Sequence, residues 1–350
     1  MKQIARVKNN GKQFKLSRGK VAILVVDLLI CASIISWVTP IGSFISMNIE
    51  KVWIRLNEYH QNKMIESDMP EVGGLYLKEY KVKNLNEYRN VTKRNEDLYK
   101  GHLVLVNTQY PWHFLQEHAL TNVSLVKNDN YKVLDKKMRL DKEMLEKLHN
   151  MLNTFKEYSG KQDIILTSGY RSLHEQQEIL KEKMALYGET EASKWAMRPG
   201  YSEHHTGYAV DISICTQQGN YIRYRGQDEY GWINENCHKY GFIRRYPGDK
   251  KEITGVYNEE WHYRYIGVPH SYIVTAKNYC FEEYIDYLRQ YTVDKKHLQV
   301  KCLDGEFEIY FVPANCEKGE TSIPIPQNGK TSIQGNNVDG YIVTVKRVNK

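Results

Sequence analysis

No Cys-x-x-Cys pair occurs anywhere in this sequence, and only six cysteines are spread over 350 residues. That leaves no paired-cysteine metal or redox motif. Cys31 lies in an apolar run, so five remain outside it: Cys215, Cys237, Cys280, Cys302 and Cys316. An odd number cannot pair completely within one chain, and Cys302 and Cys316, flanking an apparent hairpin, are the pair that could bond. Internal repeats are absent too, and so is any basic excess over the body of the chain. The formal charge is +7, but residues 1–20 hold Lys2, Arg6, Lys8, Lys12, Lys15, Arg18 and Lys20 and no acid. Removing those seven from 49 bases leaves 42 against 42 acids. A nucleic-acid binder carries its basic surface on the folded domain, so no nucleic-acid partner is expected.

Long apolar runs are also missing, with one exception: "VAILVVDLLICASIISWVTPIGSFISMNI", residues 21–49. About 20 such residues span a bilayer, and Val21 to Thr39 nearly suffices before Pro40. Basic flanks stay in the cytoplasm, and no small-residue cleavage site is clear. The expectation is a basic cytoplasmic arm (1–20), an uncleaved signal anchor (21–45) and an extracytoplasmic remainder. Asp27 lies near the cytoplasmic end of the span and reads as solvated or protonated rather than functional. Cys31 follows Ile30 where a lipoprotein box needs a small residue. Residues 46–100 are polar with scattered aromatics and read as a stalk or linker.

Hydrophobic patterning then organises the chain. "GHLVLVN" (101–107) reads as a strand. From Asp141, apolar residues at Met144, Leu145, Leu148, Met151, Leu152 and Phe155 predict an amphipathic helix ending near Gly160. "DIILTS" (163–168) reads as a buried strand. Ser172 and Glu175 form a capping box for a helix to about Tyr187, which puts Arg171 on a strand-to-helix turn. "GYAVDISI" reads as a strand, "DEYGWINENCHKYG" as a helix closed by Gly241, and "FIRRY" and "EEWHYRYIG" (259–267) as further strands. Beyond residue 271, one amphipathic helix and the strands "LQVKCLDGEFEIYFV" and "GYIVTVKRV" carry no chemistry-bearing cluster and suggest a small α/β appended subdomain (271–350).

The chemistry concentrates in "SEHHTGYAVDI", residues 202–212. A catalytic zinc takes three protein ligands and leaves a fourth position for water. His204 or His205 with Asp211 supplies two, and His262 is the obvious third. Glu259, three residues before His262, is placed to move a proton at that water, with Glu260 as a rival. Arg171 is a candidate for stabilising an oxyanion.

"SGYRS" with Gln176, "SEHHTGYAVD" and "EEWHYRYIG" together resemble the VanY-type D-alanyl-D-alanine carboxypeptidases. The wider superfamily shares Ser-x-His-x-x-Gly-x-Ala-x-Asp followed by Trp-His, met here by Ser202, His204, Gly207, Ala209, Asp211, Trp261 and His262. The resemblance covers roughly residues 100–270 and departs at Glu260, where relatives often have proline. It implies one catalytic zinc ion (Zn2+) on His204, Asp211 and His262, Glu259 as general base and then acid, and Arg171 at the oxyanion. It places Ser202, Gln176 and Tyr246 at the substrate's terminal carboxylate region. The fold it implies for 101–270 is α+β, a small antiparallel sheet with flanking helices holding the zinc. This is preceded by one transmembrane helix and followed by the small β-rich subdomain.

The expected function is a membrane-anchored, extracytoplasmic zinc D,D-carboxypeptidase. Its partner is a peptidoglycan stem peptide or lipid-linked precursor ending in D-Ala-D-Ala, from which it removes the last D-alanine. The alternatives are an L,D-carboxypeptidase, dipeptidase or endopeptidase on the same stems, or a zinc-containing binding or sensor domain without turnover. The presence of Glu259 speaks against that last reading, since a purely structural site needs no base. One conflict stands: strand alternation selects His205, six residues from Asp211, whereas the resemblance selects His204, with a bend or bulge at Gly207 reconciling the two.

Overall fold

The computed structural model describes residues 75–82, 87–113 and 120–347. The basic arm, the apolar run with Asp27 and Cys31, and the stalk up to residue 74 lie outside the described residues. Among the described residues no helix is long and apolar enough to cross a membrane. Strands β1 (Tyr76–Tyr80) and β2 (Tyr88–Arg94) open the described chain. All described elements belong to one compact unit, Glu71–Lys350.

The sheet that carries the chemistry comes next. A short hairpin-like pair, β3 (Leu120–Asn122) and β5 (Arg139–Asp141), flanks β4 (Lys132–Val133) in sequence. Helix α1 (Lys142–Ser159) follows, its first turn capped by Asp141, which accepts the Met144 N–H at 3.1 Å, and its end closed by Gly160 at φ 71°. Then come β6 (Ile164–Ser168), α2 (Leu173–Tyr187), β7 (Ala209–Cys215), β8 (Tyr221–Arg223), α3 (Gly231–Asn236), β9 (Phe242–Arg244) and β10 (His262–Tyr265). The sheet order is β4-β6-β7-β10-β9, with β8 on β7; β4 and β6 are parallel and the other pairs antiparallel.

Successive strand residues face opposite sides. Val210, Ile212, Tyr263 and Tyr265 bury themselves against Leu145, Leu148, Leu152 and Phe155 of α1, which recur at helical spacing. The same alternation leaves Asp211, Ser213 and His262 on the sheet's other face, where they line a cavity.

The C-terminal part holds α4 (His270–Lys277), α5 (Phe281–Leu288) and strands β11 (His297–Cys302), β12 (Gly305–Pro313), β13 (Glu320–Pro326), β14 (Lys330–Gly335) and β15 (Gly340–Lys346). Four of these strands join β1 in an antiparallel sheet of order β1-β11-β12-β15-β14, and β13 pairs with β2. Strand β12 is apolar on both faces. Phe307, Ile309 and Phe311 pack with α4 and α5, while Tyr310 and Val312 pack with Ile323 and Ile325 of β13.

Several expectations are corrected here. Tyr76–Tyr80 and Tyr88–Arg94 are strands of the C-terminal sheets rather than stalk, because β1 pairs with β11 and β2 with β13. Residue 271 is not a boundary in the packing: Leu103, Leu105, Ile243 and Ile266 share one core with α4, α5, β11 and β12. "GHLVLVN" is fully buried at Leu103, Val104 and Val106 yet forms no strand. The helix expected over 228–241 is broken into a 3-10 turn, α3 and a second 3-10 turn before Gly241 at φ 87°. Cys302 and Cys316 are both free thiols. They flank opposite ends of the nine-residue β12, which at about 3.3 Å per residue separates them far beyond the Cα spacing of about 4.4–6.8 Å that a disulfide needs.

Candidate active site

His204 and His205 lie in a 3-10 turn, Glu203–Thr206, which Gly207 closes at φ 71°. Glycine enters that left-handed region without steric cost. Strand β7 begins only at Ala209, so parity counted back from Asp211 has no meaning at these histidines. Their ring partners decide instead. His205 Nδ1 lies 2.7 Å from the Arg171 carbonyl oxygen and its Nε2 accepts the Gly200 N–H at 3.0 Å, so both nitrogens are engaged. His204 Nδ1 donates to the Gly169 carbonyl oxygen at 2.7 Å, which turns the Nε2 lone pair toward Asp211 Oδ2, 3.3 Å away.

Asp211 and His262 face each other directly across β7 and β10, the arrangement in which side chains of neighbouring strands meet. His262 Nδ1 is 2.9 Å from Asp211 Oδ1. One donor atom from each of His204, Asp211 and His262 lies within 4.8 Å of the others, and all three residues are buried. A tetrahedral zinc with bonds of about 2.0–2.2 Å holds its donors about 3.3–3.6 Å apart. The 3.3 Å between His204 Nε2 and Asp211 Oδ2 falls in that range. Two imidazoles and one carboxylate are the donor set of a catalytic zinc, with a side left open.

That open side is a cavity of about 340 Å³, lined by Arg171, Gln176, Ser202, Tyr246 and Glu259. Each of the sequence-derived site residues is thus brought to one place. Glu259 stands in a turn rather than a strand, since the His262 N–H donates to its carbonyl at 3.2 Å and its own N–H donates to the Tyr246 carbonyl at 3.1 Å. This turn folds its carboxylate to 3.9 Å from His262 Nδ1. Glu260 is not among the lining residues and Glu259 is, so of the two neighbouring acids it is Glu259 that faces the candidate ligands.

Arg171 leaves the end of β6 just before α2, and its three donors are fixed. Nε meets Ser168 Oγ at 2.8 Å, Nη1 meets Gln176 Oε1 at 3.2 Å, and Nη2 meets Asp211 Oδ2 at 3.0 Å. Gln176 donates in turn to the Met197 carbonyl at 2.7 Å, so its amide braces Arg171 against the loop on the far side of the cavity. Ser202 caps the 3-10 turn through the His204 N–H at 3.4 Å, and the Tyr246 ring lies 5.0 Å from that of His262.

Burial, aided by Arg171, lowers His204 to about 4, so the ring is neutral at pH 7. Burial opposes the charge on Asp211, but His204 and His262 hold its carboxyl well below the ordinary range. Burial likewise disfavours a charged His262, yet hydrogen bonds to Asp211 and Glu203 outweigh it and lift the ring to about 9. A metal taking Nδ1 displaces that proton, as metal binding to ionisable ligands does. Burial lifts Glu259 to about 7, with Asp211 adding to the rise and His262, Arg171 and Arg223 opposing it. A carboxylate tuned near neutrality both takes and returns a proton readily.

Sequence reasoning missed Glu203, whose side chain is wholly buried against Arg245 and Arg264. One signal was present: Arg264 shares a strand face with His262 by two-residue alternation.

The family model described as "VanY: D-alanyl-D-alanine carboxypeptidase" matches residues 137–268. A D-alanyl-D-alanine carboxypeptidase of Enterococcus faecium is 38% identical over 259 residues, which are 73% of this chain and 78% of that protein. The crystal structure of the vancomycin-resistance D,D-dipeptidase VanXYg, in complex with a D-Ala-D-Ala phosphinate analogue, is 31% identical with a TM-score of 0.66. It covers 74% of this chain and 99% of that one. A vancomycin-resistance D,D-pentapeptidase VanY from a VanB-type cassette, solved as a mutant in complex with Zn(II), is 35% identical. That match covers 53% of this chain and 98% of that one, with a TM-score of 0.45.

Proposed function

The chain belongs to the D-alanyl-D-alanine carboxypeptidase family of zinc metallopeptidases, and from that premise we propose that it removes the terminal D-alanine from peptidoglycan pentapeptide stems or their lipid-linked precursors. The observation that carries this reading is the Glu259 carboxylate, held 3.9 Å from a ligand atom of the three-residue metal cluster and facing the same cavity. A structural or sensor site has no use for such a group.

His204, Asp211 and His262 would hold the zinc, which when bound supplies Lewis acidity for a water and for the scissile carbonyl. Glu259 takes the proton of the attacking water and delivers it to the departing D-alanine amine. Arg171 is fixed by three hydrogen bonds before substrate arrives, so stabilising the developing oxyanion costs no reorganisation. Ser202 and Tyr246, on the cavity wall, would receive the substrate's terminal carboxylate region. Arg171→Lys keeps a charge but loses the fork to Ser168, Gln176 and Asp211. Steady-state kinetics should show kcat falling by about 10²–10³-fold, the size of losing one oxyanion donor, with zinc content unchanged.

The location in this reading is extracytoplasmic, with the domain tethered by the apolar run at residues 21–45 behind its basic arm. The deciding experiment is mass spectrometry of stem penta- and tetrapeptides incubated with the full-length, detergent-solubilised, zinc-loaded chain. Loss of one D-alanine from the pentapeptide alone is expected. Cleavage confined to the tetrapeptide, or within the stem, replaces the D,D specificity, and no cleavage of either leaves a binding module. Carbonate extraction of membranes tests the anchor, and release of the protein would remove it.

A further inference from the structure

Beside His262, among the residues that line the cavity, lies a second carboxylate that the proposed reaction does not use. Glu203 has no exposed side-chain surface, and a buried acid is tolerated only when paired and hydrogen-bonded. Its Oε1 accepts the Arg245 Nε–H and the Arg264 Nη1–H, each at 2.8 Å. Both arginines are themselves fully buried. Arg264 is anchored by donating through Nη2 to the carbonyls of His102 and Val104 at 3.0 and 2.8 Å. Arg245 is clamped from its other side by Glu282, in the first turn of α5, at 2.8 and 2.6 Å.

With two guanidinium donors on Oε1, the carboxylate has Oε2 for a further donor, and His262 Nε2 lies 3.3 Å from it. An ionised carboxylate only accepts, so Nε2 keeps its hydrogen when a metal displaces the proton of Nδ1, the atom that faces Asp211. We propose that Glu203 is a positioning residue for the metal centre: it accepts the Nε2–H of His262 and so aims Nδ1 at the metal, while Glu282 of the C-terminal segment braces it through Arg245. This rests on His262 being a ligand. It also gives residues beyond 271 a part in the site, since the brace on His262 runs through α5.

The test uses the full-length chain in detergent, with Glu203→Gln and with the pair Glu203→Gln/Arg264→Gln, which removes one buried charge of each sign. Zinc affinity, read by competition with a chromophoric chelator, should fall by about 10–100-fold, as it does on loss of a partner that orients a ligand. The visible absorption of the cobalt-substituted protein should change with it. A folded double variant with the zinc affinity and cobalt spectrum of the wild type would overturn the proposal. Should neither variant fold, long-range ¹H–¹⁵N spectra of the zinc-loaded wild type decide. Protonated Nε2 with metal-shifted Nδ1 is expected for His262, and the reverse refutes it. These readouts involve no turnover, so a wild type that passes them yet releases no D-alanine sinks the carboxypeptidase reading and leaves Glu203's role standing.

Discussion

Replacing Glu259 by glutamine lowers kcat on the pentapeptide by about 10²–10⁴-fold, the range a positioned general base contributes, while zinc content and folding stay as they are. Glutamine matches glutamate in shape, so the turn that joins residue 259 to His262 through the 3.2 Å backbone bond is kept. What is lost is the ability to hold a proton between its removal from water and its delivery to the amine. The wild type should also show an acid limb that the variant lacks. The base works ionised, and burial raises Glu259 to about 7, so activity falls as pH drops through that value. A bound dication favours the carboxylate and moves the limb lower. The expected result is therefore a decline in kcat/KM beginning at or below about pH 7, measured as D-alanine released between pH 5 and 9. Metal analysis of the same samples separates loss of the base from loss of zinc. Wild-type turnover by the glutamine variant would end the proposed mechanism, since Glu260 does not line the cavity.

What was legible in the sequence was local. The capping box of Ser172 and Glu175 is made within four residues, and the apolar stripe of α1 is set by helical spacing, so both could be read directly. Asp211 and His262 were recognisable as candidate ligands because each sits in a short motif, although their pairing spans 51 residues. Long-range pairing hid the rest. Strand β1 finds its partner at residues 297–301 and β2 at 320–326, and nothing in a polar stretch after an apolar run announces such partners. "GHLVLVN" misled in the opposite direction. Its residues are apolar because they are buried, but the Leu105 N–H goes to Asn336 and the Leu105 carbonyl to the Asn337 side chain, not to a strand ladder. Glu203 was hard to read for an electrostatic reason: an acid becomes a plausible interior residue only with its arginines, and those are 42 and 61 residues away.

The other large effect separates two adjacent histidines. His204→Ala should yield a protein that loses zinc on dialysis against a chelator that leaves the wild type loaded, with D-alanine release falling to background. His205→Ala should keep stoichiometric zinc. Removing His204 leaves Asp211 and His262 as the protein ligands and frees the Gly169 carbonyl that had fixed the ring's tautomer. Removing His205 takes away no donor to the metal, because its two nitrogens are spent on Arg171 and Gly200. It leaves a half-buried carbonyl and a half-buried N–H without their ring partners, at up to about 1–3 kcal/mol each, so a lower melting temperature is expected. Some loss of kcat should accompany it, since the carbonyl belongs to Arg171 and the loop at Gly200 borders Ser202. Atomic emission for zinc and calorimetry for stability read the two effects independently. Zinc lost from the His205 variant and retained in the His204 variant would mean that the chain runs as an unbroken strand from 205 to 211. That outcome cannot be reconciled with Gly207 at φ 71° closing a 3-10 turn, so the pair of variants tests the turn and the metal site together.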